Sequence, residues 1–298
     1  MTGTHLQELA VSLLLAAALA AGLAVPLPMG QAMAAPSVIA DPAPRGACSG
    51  RSGAARFVMA LPPEGTPGDR MRAGFGPSRA WGLDQNVTLR LGGAVIAVAY
   101  PRRSAAPSDR RPLGGAGFYA AAGLTGTETT ACLSYRVQFP EGFDFVRGGK
   151  LPGLFGGDRP PSGGARPRGD DGFTLRLMWR ADGVGELYLY APNMRGETRK
   201  SGMRLGTGAF RFVPGRWARI DLQVTLNRPG ASDGTATLWV DGVPRIAVEG
   251  IRYRRSDRMA VGGLMFSTFF GGSGARFATP RDQTVLFADL AMFSGKAP

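Results

Sequence analysis

Short segments of alternating apolar and polar residues recur along most of the chain. NVTLRL (86–91), AVIAVAY (94–100), CLSYRVQF (132–139), FTLRLMWR (173–180), GELYLY (185–190) and ARIDLQVTL (218–226) are rich in β-branched and aromatic residues. TATLWVDG (235–242), GGLMFSTFF (262–270) and QTVLFADLAMF (283–293) continue the series. Each has the length of a strand, Gly, Pro, Asn and Asp punctuate the intervals, and no long segment keeps a helical period. The predicted fold is all-β, a two-sheet antiparallel β-sandwich of jelly-roll type, with no internal repeat and no second domain.

The clearest pair is FTLRLMWRADGVGELYLYAPN (173–193), which reads as a β-hairpin around a five-residue turn, ADGVG. That loop length sets Arg180 opposite Glu186, Met178 opposite Tyr188 and Arg176 opposite Tyr190. Strand alternation then places Thr174, Arg176, Met178, Arg180, Glu186, Tyr188 and Tyr190 on one face, and Leu175, Leu177, Trp179, Leu187 and Leu189 on the other. The leucine and tryptophan face is a core face. The opposite strip is cationic and phenolic, and it has two readings: a solvated sheet surface carrying an Arg180–Glu186 ion pair, or a place for chemistry.

Composition narrows the setting. Hydrophobic residues make up 44% of the 298, enough for a sizeable core, and 45 glycines and 23 prolines without a period fit many turns. An apolar run from about Leu9 to Val25, followed by Ala32-Met33-Ala34, reads as a secretory signal peptide over residues 1–34, although its start carries His5 and Glu8 and no Lys or Arg. No later apolar run is long enough to span a bilayer, so stable membrane insertion after cleavage is not expected. Residues 35–55 read as a linker or disordered arm, 56–298 as a single domain, and the tract PRRSAAPSDRRPLGGAG (101–117) as a second loose stretch. Export to a secreted or periplasmic location makes Cys48 and Cys132 a candidate disulfide.

The formal charge is +13, and the leader contributes one acid and no base, so the exported chain is more basic still. Such a field attracts polyanions, and outside the cytoplasm these include acidic polysaccharides. Nearly all of the 35 basic side chains are arginine; Lys150, Lys200 and Lys296 are the exceptions, and Lys150 stands in FVRGGKLPGLFGG (145–157).

Several chemistries are excluded. The sole histidine, His5, lies in the leader, which removes a Ser-His-Asp mechanism, and two cysteines cannot complete a Cys/His zinc site. No cofactor and no metal is expected. Glycoside hydrolysis ordinarily uses two carboxyl groups flanking the bond, whereas the strip offers Glu186 alone, facing Arg180. Tyr with Arg and Lys remains. That set suits β-elimination of a uronic acid polymer: cations neutralise the C6 carboxylate, the C5 proton becomes removable, and a tyrosine takes it. A phenol ordinarily titrates near pH 10, and neighbouring cations are expected to draw it downward.

The runs SYRVQFPEGFDFVRGGKLPGLFGG, FTLRLMWRADGVGELYLY, GTGAFRFVPGRW, DGTATLWVDG and GGLMFSTFFGG, in that order over about residues 130–293, resemble polysaccharide lyase family 14, the alginate and glucuronan lyases with a β-jelly-roll fold. The resemblance implies a lyase acting on an anionic polyuronate. It assigns Lys150 and Arg176 to carboxylate binding and neutralisation and Tyr188 and Tyr190 to proton transfer. Thr174 stands where the family has Ser, and it joins Ser267, Thr268 and Phe269 as an expected substrate-binding residue. An acidic polysaccharide is the expected partner, nucleic acid is not, and a monomer is expected. A non-catalytic carbohydrate-binding sandwich is the alternative, in which the same strip holds a polyanion without cleaving it.

Overall fold

In the computed structural model of the chain, described for residues 47–295 except 52, 110, 166, 168–169, 193–201 and 273, the alternating segments become two antiparallel sheets. One sheet contains β1 (Ala54–Val58), β3 (Val87–Arg90), β4 (Val95–Tyr100), β6 (Thr130–Gln138), β11 (Trp217–Thr225), β12 (Gly234–Val240), β13 (Val243–Ile251) and β15 (Gln283–Ser294). Its order is β13-β12-β11-β6-β15-β4-β3, with β1 also paired to β15. The other contains β2 (Ser78–Trp81), β5 (Ala116–Ala120), β7 (Gly148–Gly156), β8 (Phe173–Arg180), β9 (Gly185–Tyr190), β10 (Met203–Leu205) and β14 (Val261–Phe270), ordered β10-β9-β8-β7-β14-β5-β2. The fold is the expected β-sandwich.

The core lies between the sheets because one side of each strand is apolar. Leu133, Tyr135 and Val137 of β6, with Ile220, Leu222 and Val224 of β11, meet Leu175, Leu177 and Trp179 of β8, Leu187 and Leu189 of β9, and Phe266 of β14. Two buried tyrosines span the layers: Tyr135 Oη donates to the Pro152 carbonyl at 3.1 Å, and Tyr100 Oη is bonded to Thr268 Oγ1. Such bonds satisfy polar atoms that burial would otherwise strand. They also fix the height of β7 and β14 above the core.

The loose arm expected over 35–55 is corrected where it is described. Residues Ala47–Arg51 form a short helix, and β1 begins at Ala54. Cys48, fully buried, is joined by a disulfide to Cys132 on β6. The described residues all fall in one compact unit. The leader and residues 35–46 lie outside the described residues. The second tract is not loose either: Ser104 and Ala105 are buried, Ser104 N–H donates to the Pro101 carbonyl, and Arg103 N–H donates to the Thr279 carbonyl. Their backbone bonds explain how so polar a segment stays against the sheet. A nine-residue helix, Pro67–Phe75, capped by Thr66 and ended by Gly76 at φ 54, departs from the strand-only pattern. Among the described residues no helix is long and apolar enough to cross a membrane.

Candidate functional site

The β8–β9 hairpin keeps the expected faces and changes the register. Arg176 stands opposite Tyr188, Thr174 opposite Tyr190, and Met178 opposite Glu186, two residues away from the expected pairing. The reason is the turn. Asp182 and Gly183 both take positive φ (56° and 73°), and Arg180 N–H donates to the Val184 carbonyl at 2.7 Å, so the reversal uses three residues rather than five. A slip of two residues leaves side-chain parity intact. Met178, Tyr188 and Tyr190 therefore pack as a group on the outer face, with the two phenol rings edge to face at 5.5 Å.

Lys150 lies on the neighbouring strand β7, opposite Met178. The glycines around it answer to their neighbours. A Cβ on Gly149 would stand 2.0 Å from the Trp179 ring, and one on Gly153 would stand 2.0 Å from the Leu175 carbonyl oxygen, so neither position accepts a side chain. Between Lys150 and Gly153 the register against β8 shifts by one residue, a bulge that accommodates Pro152 inside the strand. Lys150 itself points outward. Its Nζ donates to Met178 Sδ at 2.7 Å and lies 3.7 Å from the centroid of the Tyr188 ring, a cation–π geometry. Burial, then the charges of Arg176 and Arg180, hold its pKa well below the ordinary lysine value, against the pull of Glu186.

Arg176 is 1% exposed, yet it lines the cleft. Its Nη2 is 3.4 Å from Ser162 Oγ, and among the described residues its Nε has no hydrogen-bond partner and the guanidinium makes no ion pair. Burial lowers its pKa, opposed by the nearby Tyr190, Tyr119 and Tyr188. Glu186 offers it no counter-charge. That carboxylate accepts from Arg180 Nε at 2.7 Å, Arg204 Nε at 3.0 Å and Thr207 Oγ1 at 2.6 Å. Burial pushes the Glu186 pKa up, and these donors outweigh it, so the net shift is downward.

Both phenol oxygens accept backbone N–H groups: Tyr188 from Gly202 at 2.8 Å and Tyr190 from Gly164 at 3.1 Å. The expectation that cations would draw the phenol pKa down is corrected for Tyr188. Burial first, then the neighbouring Tyr190, push it up to about 12, against the smaller pull of the Gly202 N–H and Arg180. Desolvation of a phenolate outweighs charges that are themselves partly committed to Glu186.

A cleft of about 530 Å³ opens over this face and brings Lys150, Arg176, Tyr188 and Tyr190 together. Ser267 and Phe269 line it as well. Two expected contacts do not. Thr268, between them on β14, alternates inward, is fully buried and bonds Tyr100. Thr174 is on the outer face but covered, its Oγ1 donating to the Pro161 carbonyl at 2.9 Å; it anchors the loop that brings Ser162 and Gly164 to the cleft. The sequence pattern missed Trp81, Tyr119 and the 106–108 segment, all lining residues. Trp81 sits in SRAW, too short and too close to Gly and Pro to show alternation. Tyr119 occupies GFYA, where small residues hide the period. Among the described residues no three His, Cys, Asp or Glu side chains cluster as a metal site.

A family model described as polysaccharide lyase 14 matches residues 89–290, more than half of the chain. The chain belongs to the polysaccharide lyase 14 family. Among solved structures, this lyase is similar to the marine PL-14 alginate lyase from Aplysia kurodai at 29% identity and TM-score 0.71, covering 82% of this chain and 100% of that one. It shares its fold with alginate lyase vAL-1 from Chlorella virus, at 23% identity and TM-score 0.65 over 76% of this chain and 96% of that one. The endo-β-1,4-glucuronan lyase of the fungus Trichoderma reesei also has this fold, at 12% identity and TM-score 0.53 over 81% and 96% of the two chains. A comparison with curated protein sequences finds no match. The matched segment of the lyase contains Lys150, Arg176, Tyr188, Tyr190 and Tyr119, whereas β2 with Trp81 precedes it.

Proposed function

We propose that this polysaccharide lyase cleaves an anionic polyuronate of alginate or glucuronan type by β-elimination, in the cleft between β9 and β2. One observation carries the reading: Arg176 is buried, makes no ion pair among the described residues, and shares its cleft with Lys150 and two phenols. A buried guanidinium ordinarily has a carboxylate partner. A uronate C6 carboxylate seated between Arg176 and Lys150 supplies it, and the same negative charge favours the ammonium form of Lys150 that burial disfavours.

The chemistry then follows from charge. With its carboxylate neutralised, the sugar's C5–H becomes acidic, and an ionised tyrosine takes that proton. The C5 electron pair forms the C4=C5 double bond, the C4–O4 bond breaks, and a tyrosine hydroxyl returns a proton to O4. Tyr188 and Tyr190 are the two phenols placed for these transfers. Each phenol oxygen accepts a backbone N–H group, and for Tyr188 that bond favours the ionised form against the burial that raises its pKa. The disulfide suits an oxidising compartment, which agrees with action outside the cytoplasm.

The test is incubation with alginate, polyglucuronate and a neutral β-glucan, following the ultraviolet absorbance of unsaturated uronyl ends. The absorbance is expected to rise with at least one uronate polymer and not with the glucan. A flat trace with every uronate polymer overturns the proposal.

A further inference from the structure

The catalytic tetrad accounts for β7, β8 and β9, but the cleft continues to the far edge of the sheet. That edge is β2, which lies outside the segment matched by the family. We infer that Arg79 and Trp81 of β2 form an added subsite for a uronate residue on the β5–β2 side of the point of cleavage, an inference that rests on the proposed polyuronate substrate. Successive strands are about 4.8 Å apart, so four strand steps put β2 roughly 19 Å from β8 along the sheet. The side chains reach back from that edge, Arg79 to the Tyr119 ring on β5 and Trp81 to Phe269 on β14, so a sugar held by them sits next along the cleft from the one on Arg176.

Three observations support a built site. First, Trp81 is half-buried and lines the cleft, 6.0 Å from Phe269. The sheet makes room for it: a Cβ on Gly117, its partner on β5, would stand 2.4 Å from Trp81 Nε1. An indole lying across a sheet suits the apolar face of a pyranose ring.

Second, Arg79 holds φ 52, a conformation that glycine adopts more readily, yet the position carries an arginine. Its guanidinium lies 5.7 Å from the Tyr119 ring centroid, and Nη2 donates to the Asp158 carbonyl at 3.2 Å. Among the described residues it makes no ion pair, so its charge is open to a carboxylate. Arginine's planar fork suits that partner.

Third, the surface does not end there. A second groove of about 470 Å³, lined by Arg79, Arg159 and Ser162 among others, adjoins the first through Ser162. A chain leaving the cleft past Ser162 thus meets Arg79, whereas Arg159 in the same groove is paired with Asp171 at 3.6 Å.

The experiment measures kcat and KM on size-graded oligouronates for the unaltered protein, Arg79→Gln, Arg79→Gly and Trp81→Ala. The expected result is a penalty in KM that grows with substrate length, reaching about tenfold on the longest oligomers, with little change in kcat. Arg79→Gly separates binding from folding: it relieves the positive φ, so the melting temperature holds or rises while long oligomers bind more weakly. A penalty independent of length, or none, overturns the subsite. If the unaltered protein makes no unsaturated ends, the cleavage reading fails separately, and tryptophan fluorescence decides the subsite. Quenching by long oligouronates but not by neutral oligosaccharides, lost in Trp81→Phe, supports it; quenching unchanged in Trp81→Phe overturns it.

Discussion

At the scale of single residues, the site depends on charges whose partners have been withheld. Arg176 is buried and Lys150 half-buried, both have lowered pKa values, and the carboxylate that acts on Lys150, Glu186, is held by Arg180, Arg204 and Thr207. Arg176→Lys keeps the charge but loses the planar donors, so kcat/KM is expected to fall by about a hundredfold or more, the scale of losing a fixed donor to a developing anion. Steady-state kinetics on the preferred polymer check this, and an activity near that of the unaltered protein contradicts the role. Residue types were the most legible layer of the sequence: the exclusion of histidine, metal and paired-carboxylate chemistry left Tyr, Arg and Lys, and the cleft contains them. Burial was not legible. The Tyr188 phenol is pushed up because the surrounding chain dehydrates it, and no spacing of cations along the sequence reveals that.

At the scale of elements, the alternating pattern gave the faces of β8 and β9 correctly, while the register depended on the turn. Positive φ at Asp182 and Gly183 shortened the loop, and a two-residue slip preserved the outward set. β7 was hidden for a related reason: Gly149 and Gly153 are there to admit Trp179 and the β8 backbone, so the strand lacks the side chains that mark a strand. Thr268 shows the converse, since the run 267–269 was read as one unit although adjacent residues on a strand face opposite ways. Glu186 links β9 to Arg180 on β8 and to Arg204 on β10. Glu186→Gln is expected to cost about 1–2 kcal/mol at neutral pH, between the values for an exposed and a fully buried ion pair, because both arginines keep solvent contact. Its folded-state pKa is depressed, so the contribution is present above the ordinary glutamate range and is lost as pH falls through the lowered value. Melting curves should therefore separate the two proteins at pH 7 and converge in acid; a constant gap contradicts the assignment.

At the scale of the whole molecule, two sheets divide the work. The sheet carrying β6, β11 and β15 holds the disulfide, and the sheet carrying β7, β8, β9 and β14 holds the cleft. Cys48 and Cys132 are 84 residues apart, so the cross-link closes a long loop, and replacing both with Ser is expected to cost about 2–4 kcal/mol. Denaturant titration measures the loss, and the variant should cleave polymer normally at a temperature where it remains folded. Equal stability of the two forms contradicts a structural role.

The central claim is that two phenols beside Lys150 and Arg176 move the protons of the elimination. The most direct measurement compares the unaltered protein with Tyr188→Phe/Tyr190→Phe on the preferred uronate polymer, following unsaturated ends by absorbance and polymer binding by calorimetry. The account predicts that the double variant still binds and forms unsaturated ends at a rate lower by about three orders of magnitude or more. A double variant that cleaves at a rate close to that of the unaltered protein contradicts it.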